Sequence, residues 1–589
     1  MPPLTNPAGP TTAPGATPGA LPTADHAAAH TLLNCLLREV SGPEHQTAVD
    51  RGHLLLRLPR RGVLLRVALR RTSLLGAHRF TGPVTAQDGD GWREIGPRRL
   101  AEYVHTELAL RTGVHNDEFL DQFASGHRAL AAALTTRPLP HPPVPAGAPE
   151  WTDAYLASEQ ALLFGHRFHP TPKARTGDPA AWRMYAPETG GRFGLLHLAV
   201  REELIAQETA ADGAAAPLDA LATDVPDGYR LLPAHPWQYA LLRDHPVLRA
   251  AVDRGDLRVL GTGPTPFTAT ASVRTLHAPD TFLKFSLNVR ITNCLRKNSA
   301  YELSGAIALT RLLAPALDDL AARFPGSAVL REPAYRSVAL PGPDGTRDTA
   351  LFEGFGVIVR EGLSRRLLPG TTPLLAGAVA DEYPTSPAHI SQLPAGRGPE
   401  EALAWWGAYL DLLIPPVLAA YFDHGLVLEP HLQNVLICVD GDGMPAQVVF
   451  RDLEGTKLVP EHHTATLAAL PPDVAGPMTY DAQRGWDRVV YCLLVNHVAE
   501  LLAALADLHP GTEAALWARV RATLASHAER HGCPPRLAAL LAGVPLPAKA
   551  NLLTRWERKA DRDAGYVRLP SPLAESVLTG AGTTPRSTA

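Results

Sequence analysis

Two breaker segments constrain this chain most. Residues 139–149 read LPHPPVPAGAP and residues 384–399 read PTSPAHISQLPAGRGP. Proline removes a backbone donor and fixes φ, so regular elements do not run through such stretches. They divide the 589 residues into three parts. From about Ala27 to Leu134 the pattern predicts a mostly helical unit, with a strand-like stretch at Val63–Val67 and a helix through Leu100–Leu110. Short strands and helices alternate between about Trp151 and Glu382, with Thr281–Thr292 the clearest strand. The last part opens on a long apolar helix, Glu400–His424. No period marks an internal repeat. The predicted limits are a disordered extension over 1–25, units over 26–150, 151–395 and 396–572, and a disordered tail over 573–589.

Composition narrows the function. A net charge of −4 with no sustained Lys/Arg run argues against a nucleic-acid binder. No apolar run reaches the roughly 18–20 residues of a membrane helix, and the N-terminus has no signal-peptide pattern. The five cysteines are widely spaced, which points away from a disulfide framework and towards a reducing cytoplasm. Only six of the 55 basic residues are lysine: Lys173, Lys284, Lys297, Lys457, Lys549 and Lys559. Where a solvated cation suffices, this chain uses arginine. A lysine therefore draws attention, because its compact ammonium fits places that the arginine fork does not.

In Thr281–Thr292 the two-residue period puts Leu283, Phe285, Leu287, Val289 and Ile291 on one face, and Lys284, Ser286, Asn288, Arg290 and Thr292 on the other. Upstream, Ser272-Val-Arg274-Thr275 shows the same alternation, and Arg296 follows the strand. Such faces make a cradle for polyphosphate or polycarboxylate, although an ordinary half-exposed strand would look the same. Glu429-Pro-His431-Leu-Gln-Asn434 precedes two strands, 435–439 and 446–450, joined by Asp440-Gly-Asp-Gly443 and followed by Arg451-Asp452. A hairpin there brings Asn434 and Asp452 together at its open end. With Glu429 and His431 they form an oxygen-rich set suited to Mg²⁺ carrying nucleotide phosphates. The bland alternative is helix capping and solvated turn residues. No GxxxxGK phosphate loop and no complete dinucleotide fingerprint is present. The loop His166-Arg-Phe-His169 to Lys173 and Arg175 reads as a fixed, anion-binding loop, Arg360 stands at a strand end, and Lys549 stands beside Pro547.

Taken together, the segments GHRFHPTPKARTG (165–177), SVRTL (272–276), KFSLNVRITNCLR (284–296), GVIVRE (356–361), EPHLQNVLI (429–437) with RDLEG (451–455), and PAKANLLTR (547–555) resemble the IucA/IucC-like siderophore synthetases that work without a nonribosomal peptide synthetase. The resemblance spans about Tyr155 to Arg558. It implies an α+β, cupped-hand fold with a thumb, a fingers domain built on an antiparallel sheet, and a mainly helical palm. It implies a homodimer and an ATP- and Mg²⁺-dependent ligase that adenylates citrate or a related acid and passes the acyl group to an amine or hydroxyl. By motif, Ser272, Arg274, Thr275, Lys284, Arg296, His431, Asn434 and Asp452 would hold the nucleotide, with Lys284, Arg296 and His431 catalytic. Glu429, Asn434 and Asp452 would hold the metal, and His166, His169, Lys173, Thr292, Arg360 and Lys549 the carboxylate substrate. Pro430 stands where members often carry Ala. A kinase-like phosphotransferase and a non-catalytic siderophore-binding protein are the alternative readings.

Overall fold

The computed structural model describes residues 21–136, 147–222, 224–292, 294–560 and 563–575. Most of the predicted extension, most of the first breaker and the tail from 576 lie outside the described residues. Helix begins before position 26: the Thr23 hydroxyl accepts the His26 amide and caps Ala24–Leu36.

The first unit holds the expected strand at Val63–Val67 and the expected helix through Leu100–Leu110, but four further strands as well. Strands Thr47–Asp50, His53–Leu58, Val63–Arg71, Arg79–Asp88 and Gly91–Ile95 form an antiparallel sheet in sequence order. Helices Ala24–Leu36, Pro97–Thr112 and Glu118–Thr135 share its core. His53–Leu58 reads HLLLRL and holds no β-branched residue, so neighbour pairing and not local propensity makes it a strand.

The second unit is an eight-stranded sheet in the order Ile205–Thr209, Ala334–Val338, Val357–Glu361, Thr281–Phe285, Thr275–Ala278, Leu257–Ala269, Arg192–Arg201, Tyr229–Ala234. Every neighbouring pair is antiparallel. Leu283 and Phe285 pack into its apolar core, while Phe282, on the opposite face, joins the core of the third unit. This is a strand buried on both faces. It also ends sooner than the alternation predicts, because Ser286 separates Thr281–Phe285 from a two-stranded ribbon formed by Leu287–Ile291 and Cys294–Arg296. The Ser286 hydroxyl donates to the Glu353 carbonyl at 2.5 Å and accepts the Asn298 amide at 2.8 Å, which fixes the break. Ser272 and Arg274 likewise lie on a turn and not on a strand. Val273 takes φ +66° there, a costly conformation for a β-branched residue.

The third unit wraps helices around a four-stranded sheet in the order Ser327–Val329, Pro445–Phe450, Val435–Val439, Thr372–Leu375. Two of these strands precede residue 396, so the predicted boundary cuts through one sheet. Helix Pro399–Phe422 buries Trp405, Trp406 and Tyr409. It and Ala482–Leu508 are long and apolar enough to cross a membrane, but both are mostly buried inside the fold. Leu573 is fully buried in this core, so ordered packing passes the predicted limit at 572. The C-terminal segment also crosses back: Leu552 and Trp556 of helix Asn551–Trp556 belong to the core of the first unit. Proline content marks where the chain bends. It does not record that a later strand or helix returns to an earlier unit.

Candidate active site

All three units line one cavity of about 560 Å³, and every residue proposed above for nucleotide, metal or carboxylate binding lines it. They come from motifs as far apart as residues 166 and 549.

At its base lies a compact charged cluster. Lys284 is 2% exposed and its Nζ donates to Asp452 Oδ1 at 2.6 Å and to Glu454, with Glu332 Oε1 at 3.9 Å. Arg360, opposite Phe282 in the sheet, donates to Glu332 Oε1 at 2.6 Å and to Asp452 Oδ1 at 2.9 Å. Arg274 bonds Asn298 and stands 3.9 Å from Glu454. Asn298 is itself fully buried and donates to the carbonyls of Lys284 and Gly356 at 3.2 Å. Burial disfavours the Lys284 ammonium, but Asp452, Glu332 and Glu454 outweigh it and raise its pKa above the ordinary lysine value. Burial also pushes Asp452 up, and Lys284 and Arg360 outweigh it and hold that carboxyl well below the usual range. Three cations thus face three carboxylates, and a tetrahedral ammonium with three donors suits a position met by three carboxylates.

The hairpin forms, with Val435 opposite Phe450 and a register shift between Cys438 and Val439, so Asn434 faces Arg451, one residue short of Asp452. The Arg451 amide donates to the Asn434 carbonyl at 3.0 Å, which puts Asn434 beside Asp452. Asp452 takes φ +74°, directing its carboxylate back to Lys284. Glu429 is less available than predicted, because Arg488 Nε and Nη2 both hold its Oε1 at 2.8 Å. Burial foremost lowers the pKa of His431, leaving a neutral ring in the cavity. His497 Nδ1 lies 2.8 Å from the Pro430 carbonyl, so the proline is tied to a fully buried histidine.

In the 165–177 loop the Nδ1 atoms of His166 and His169 accept the amides of Phe168 and Thr171 at 3.0 and 3.1 Å. In the neutral ring each Nε2 must then carry the proton. Lys173 holds the loop more than it offers charge, since Nζ donates to the Leu162 carbonyl at 2.7 Å and lies 3.8 Å from Glu188. Thr292, at φ +55°, donates its amide to the Ala174 carbonyl at 2.8 Å and joins the ribbon to this loop. Arg296 pairs with Leu287 in the ribbon, and Lys549 ends the strand Leu546–Lys549.

The sequence reading missed Glu159, Glu332, Glu454, Arg451 and Arg488. Glu454 could have been found, since it stands two residues beyond Asp452. Glu332 and Glu159 carry no local signal, because each meets its partner only through the tertiary fold.

Cations and carboxylates gathered at the base of a cleft between three units suit a ligase that brings anionic substrates together. The IucA / IucC family model matches residues 154–381, and a model described as ferric iron reductase FhuF-like transporter matches 403–564. The L-2,3-diaminopropanoate–citrate ligase of Staphylococcus aureus is 31% identical over 72% of this chain and 75% of its own length. The rhizobactin siderophore biosynthesis protein RhbC of Rhizobium meliloti is 29% identical over 93% of this chain and 97% of its own. The ATP-bound aerobactin synthetase IucA from Klebsiella pneumoniae has the same fold, with TM-score 0.80 at 24% identity over 93% of this chain and 99% of that one. The chain belongs to the IucA/IucC family.

Proposed function

We propose that the chain adenylates a carboxylate of citrate with ATP and condenses it with an amine in siderophore biosynthesis. A carboxylate oxygen attacks the α-phosphorus, the bond to the β-phosphate breaks and pyrophosphate leaves. The amine nitrogen then attacks the acyl carbon, losing a proton as AMP departs. The observation that carries this reading is the convergence of six separated motifs on one cavity whose base holds Lys284, Arg274 and Arg360. The diaminopropanoate–citrate ligase and a spermidine–citrate ligase of Bacillus anthracis among the relatives support citrate and an amine as the substrate classes.

Arg274 and Arg296, which line the cavity, would meet phosphate charge, and the Nε2–H donors of His166 and His169 with Lys549 would meet carboxylates. Asp452, whose side chain is 35% exposed, and Asn434 are the groups best able to hold Mg²⁺, with Glu429, which also lines the cavity but is already held by Arg488, as the third. Mg²⁺ would neutralise phosphate charge there. Cys35, Cys438 and Cys533 are free thiols, which supports the cytoplasmic placement.

Purified protein given ATP, Mg²⁺, citrate and a panel of diamines is expected to release AMP and pyrophosphate in equal amounts, and EDTA to stop both. ADP in place of AMP would instead point to a phosphotransferase. The homodimer implied by the resemblance is expected as a mass near twice 63.0 kDa in sedimentation equilibrium, against a single-chain mass if it is absent.

A further inference from the structure

The cavity is unevenly charged. At its base cations and carboxylates balance, whereas another part of its lining brings Glu382 and Glu500 to Arg167, with Asp381 next to Glu382 in the chain. Two of these carboxylates are already satisfied. Asp381 accepts the Thr385 hydroxyl at 2.8 Å and the Tyr383 amide at 3.3 Å, and Glu382 receives Arg70 at 2.7 Å with Arg79 and Arg167 near.

Glu500 differs. It is 6% exposed, its Oε2 lies 3.5 Å from Arg167 Nη1, and its buried Oε1 has no hydrogen-bond partner among the described residues. No other carboxylate lining the cavity has a buried oxygen in that condition among them. A buried anionic acceptor without a donor is costly, so its persistence calls for an explanation such as a ligand. The helix that carries it is modified locally: Tyr491–Val498 is π-helical, and Tyr491, Cys492, Asn496 and Glu500 all line the cavity. Single π turns inside α-helices occur often at functional sites.

His166 stands close enough for the Glu500 charge to act on its ring, and its buried Nε2 also lacks a partner among the described residues. With Nδ1 accepting, that Nε2 is a donor. Burial lowers the ring pKa to about 4, so it remains neutral near pH 7. Glu500 Oε2 is paired with Arg167, and the buried Arg38 and Arg79 also feel its charge; what this part of the lining leaves open is one carboxylate oxygen without a donor beside a ring N–H without an acceptor among the described residues.

We propose that Glu500 is the binding post for the cationic amine nucleophile, its Oε1 accepting an ammonium N–H while His166 Nε2 donates to an oxygen of the neighbouring acyl substrate. This rests on the condensation reaction proposed above and adds to it where the amine is recognised.

The test compares hydroxylamine, uncharged at pH 8, with 1,3-diaminopropane, L-2,3-diaminopropanoate and spermidine as nucleophiles towards citrate and ATP. In Glu500→Gln, the ratio of kcat/KM for the cationic amines to that for hydroxylamine is expected to fall about ten-fold or more, the loss of one charge-assisted hydrogen bond. The loss should appear mainly in the amine KM. Glu500→Asp, which keeps the charge, should retain more of the preference. An unchanged ratio in the Gln variant, or an equal loss with hydroxylamine, overturns the assignment. So does a wild-type protein that forms citryl hydroxamate but reacts with none of the three amines. Absence of wild-type hydroxamate and AMP instead overturns the parent reaction, and this proposal with it.

Discussion

Lys284→Met is expected to reduce citrate-dependent pyrophosphate release at least about 10²–10³-fold, the range for removing one preorganised group at a developing charge. It should also destabilise the fold by about 3–5 kcal/mol, because Glu332, Glu454 and Asp452 lose the ammonium they share, and buried charges left unpaired are expensive. Urea denaturation measures the second effect and circular dichroism establishes that the protein assayed is folded. Lys284→Arg is the sharper test. It restores the charge but brings a larger planar fork into a position 2% exposed, where three carboxylates approach one nitrogen. Activity within ten-fold of wild type in that variant would sink the argument from ammonium shape.

The same cluster has a pH signature. Asp452 is depressed in the fold, so the stability it contributes is present above the unfolded carboxyl value of about 3.9 and is lost as pH falls through its folded value. Wild-type stability should therefore decline progressively below about pH 5. In Lys284→Met one of the two principal charges that hold Asp452 down is gone, and the decline over this window should be shallower.

Much of this site was legible before any coordinates. Lysine scarcity singled out Lys284, and the hairpin register predicted that Asn434 and Asp452 converge. Both rest on local rules, a composition bias and a two-residue period about a turn. The reading failed where long-range pairing decides. Lys284 was expected to offer its charge to phosphate, whereas in the fold it is shared among carboxylates from residues 332, 452 and 454. Val273 at positive φ turned an expected strand face into a loop, since alternation cannot reveal a strained turn. Of the five-stranded sheet only the strand at Val63–Val67 was expected, and the other four were read as part of a mostly helical unit; for His53–Leu58 the reason is local, since HLLLRL holds no strand former. Lysine scarcity also overreached: Lys173 anchors a backbone carbonyl, and Lys297 pairs with Glu353 at 2.5 Å.

Glu159→Gln should be nearly as damaging as loss of Lys284, although Glu159 was not a candidate from sequence. Its carboxylate, fully buried, receives Arg451 Nη1 and Nη2 and, at 3.0 Å, the Ala271 amide. Arg451 also donates to the Gln433 carbonyl at 2.7 and 2.9 Å. One ion pair thus joins helix Thr152–Glu159, the turn that carries Ser272 and Arg274, and the hairpin base that carries Asn434 and Asp452. These are positioning residues, acting through the groups they hold. Breaking the pair from either side should cost about 3–5 kcal/mol, because the surviving charge stays buried. Removing both, as Glu159→Gln with Arg451→Met, should cost less than the sum of the single changes, and the coupling is read from a double-mutant cycle in urea. A purely structural role would end there. A positioning role predicts that the double variant, folded and assayed below its unfolding transition, still shows a KM for ATP raised at least about ten-fold, since two parts of the proposed phosphate cradle lose their common tether. An additive cycle would show that the pair is not coupled, and a wild-type KM in the double variant would confine Glu159 to stability.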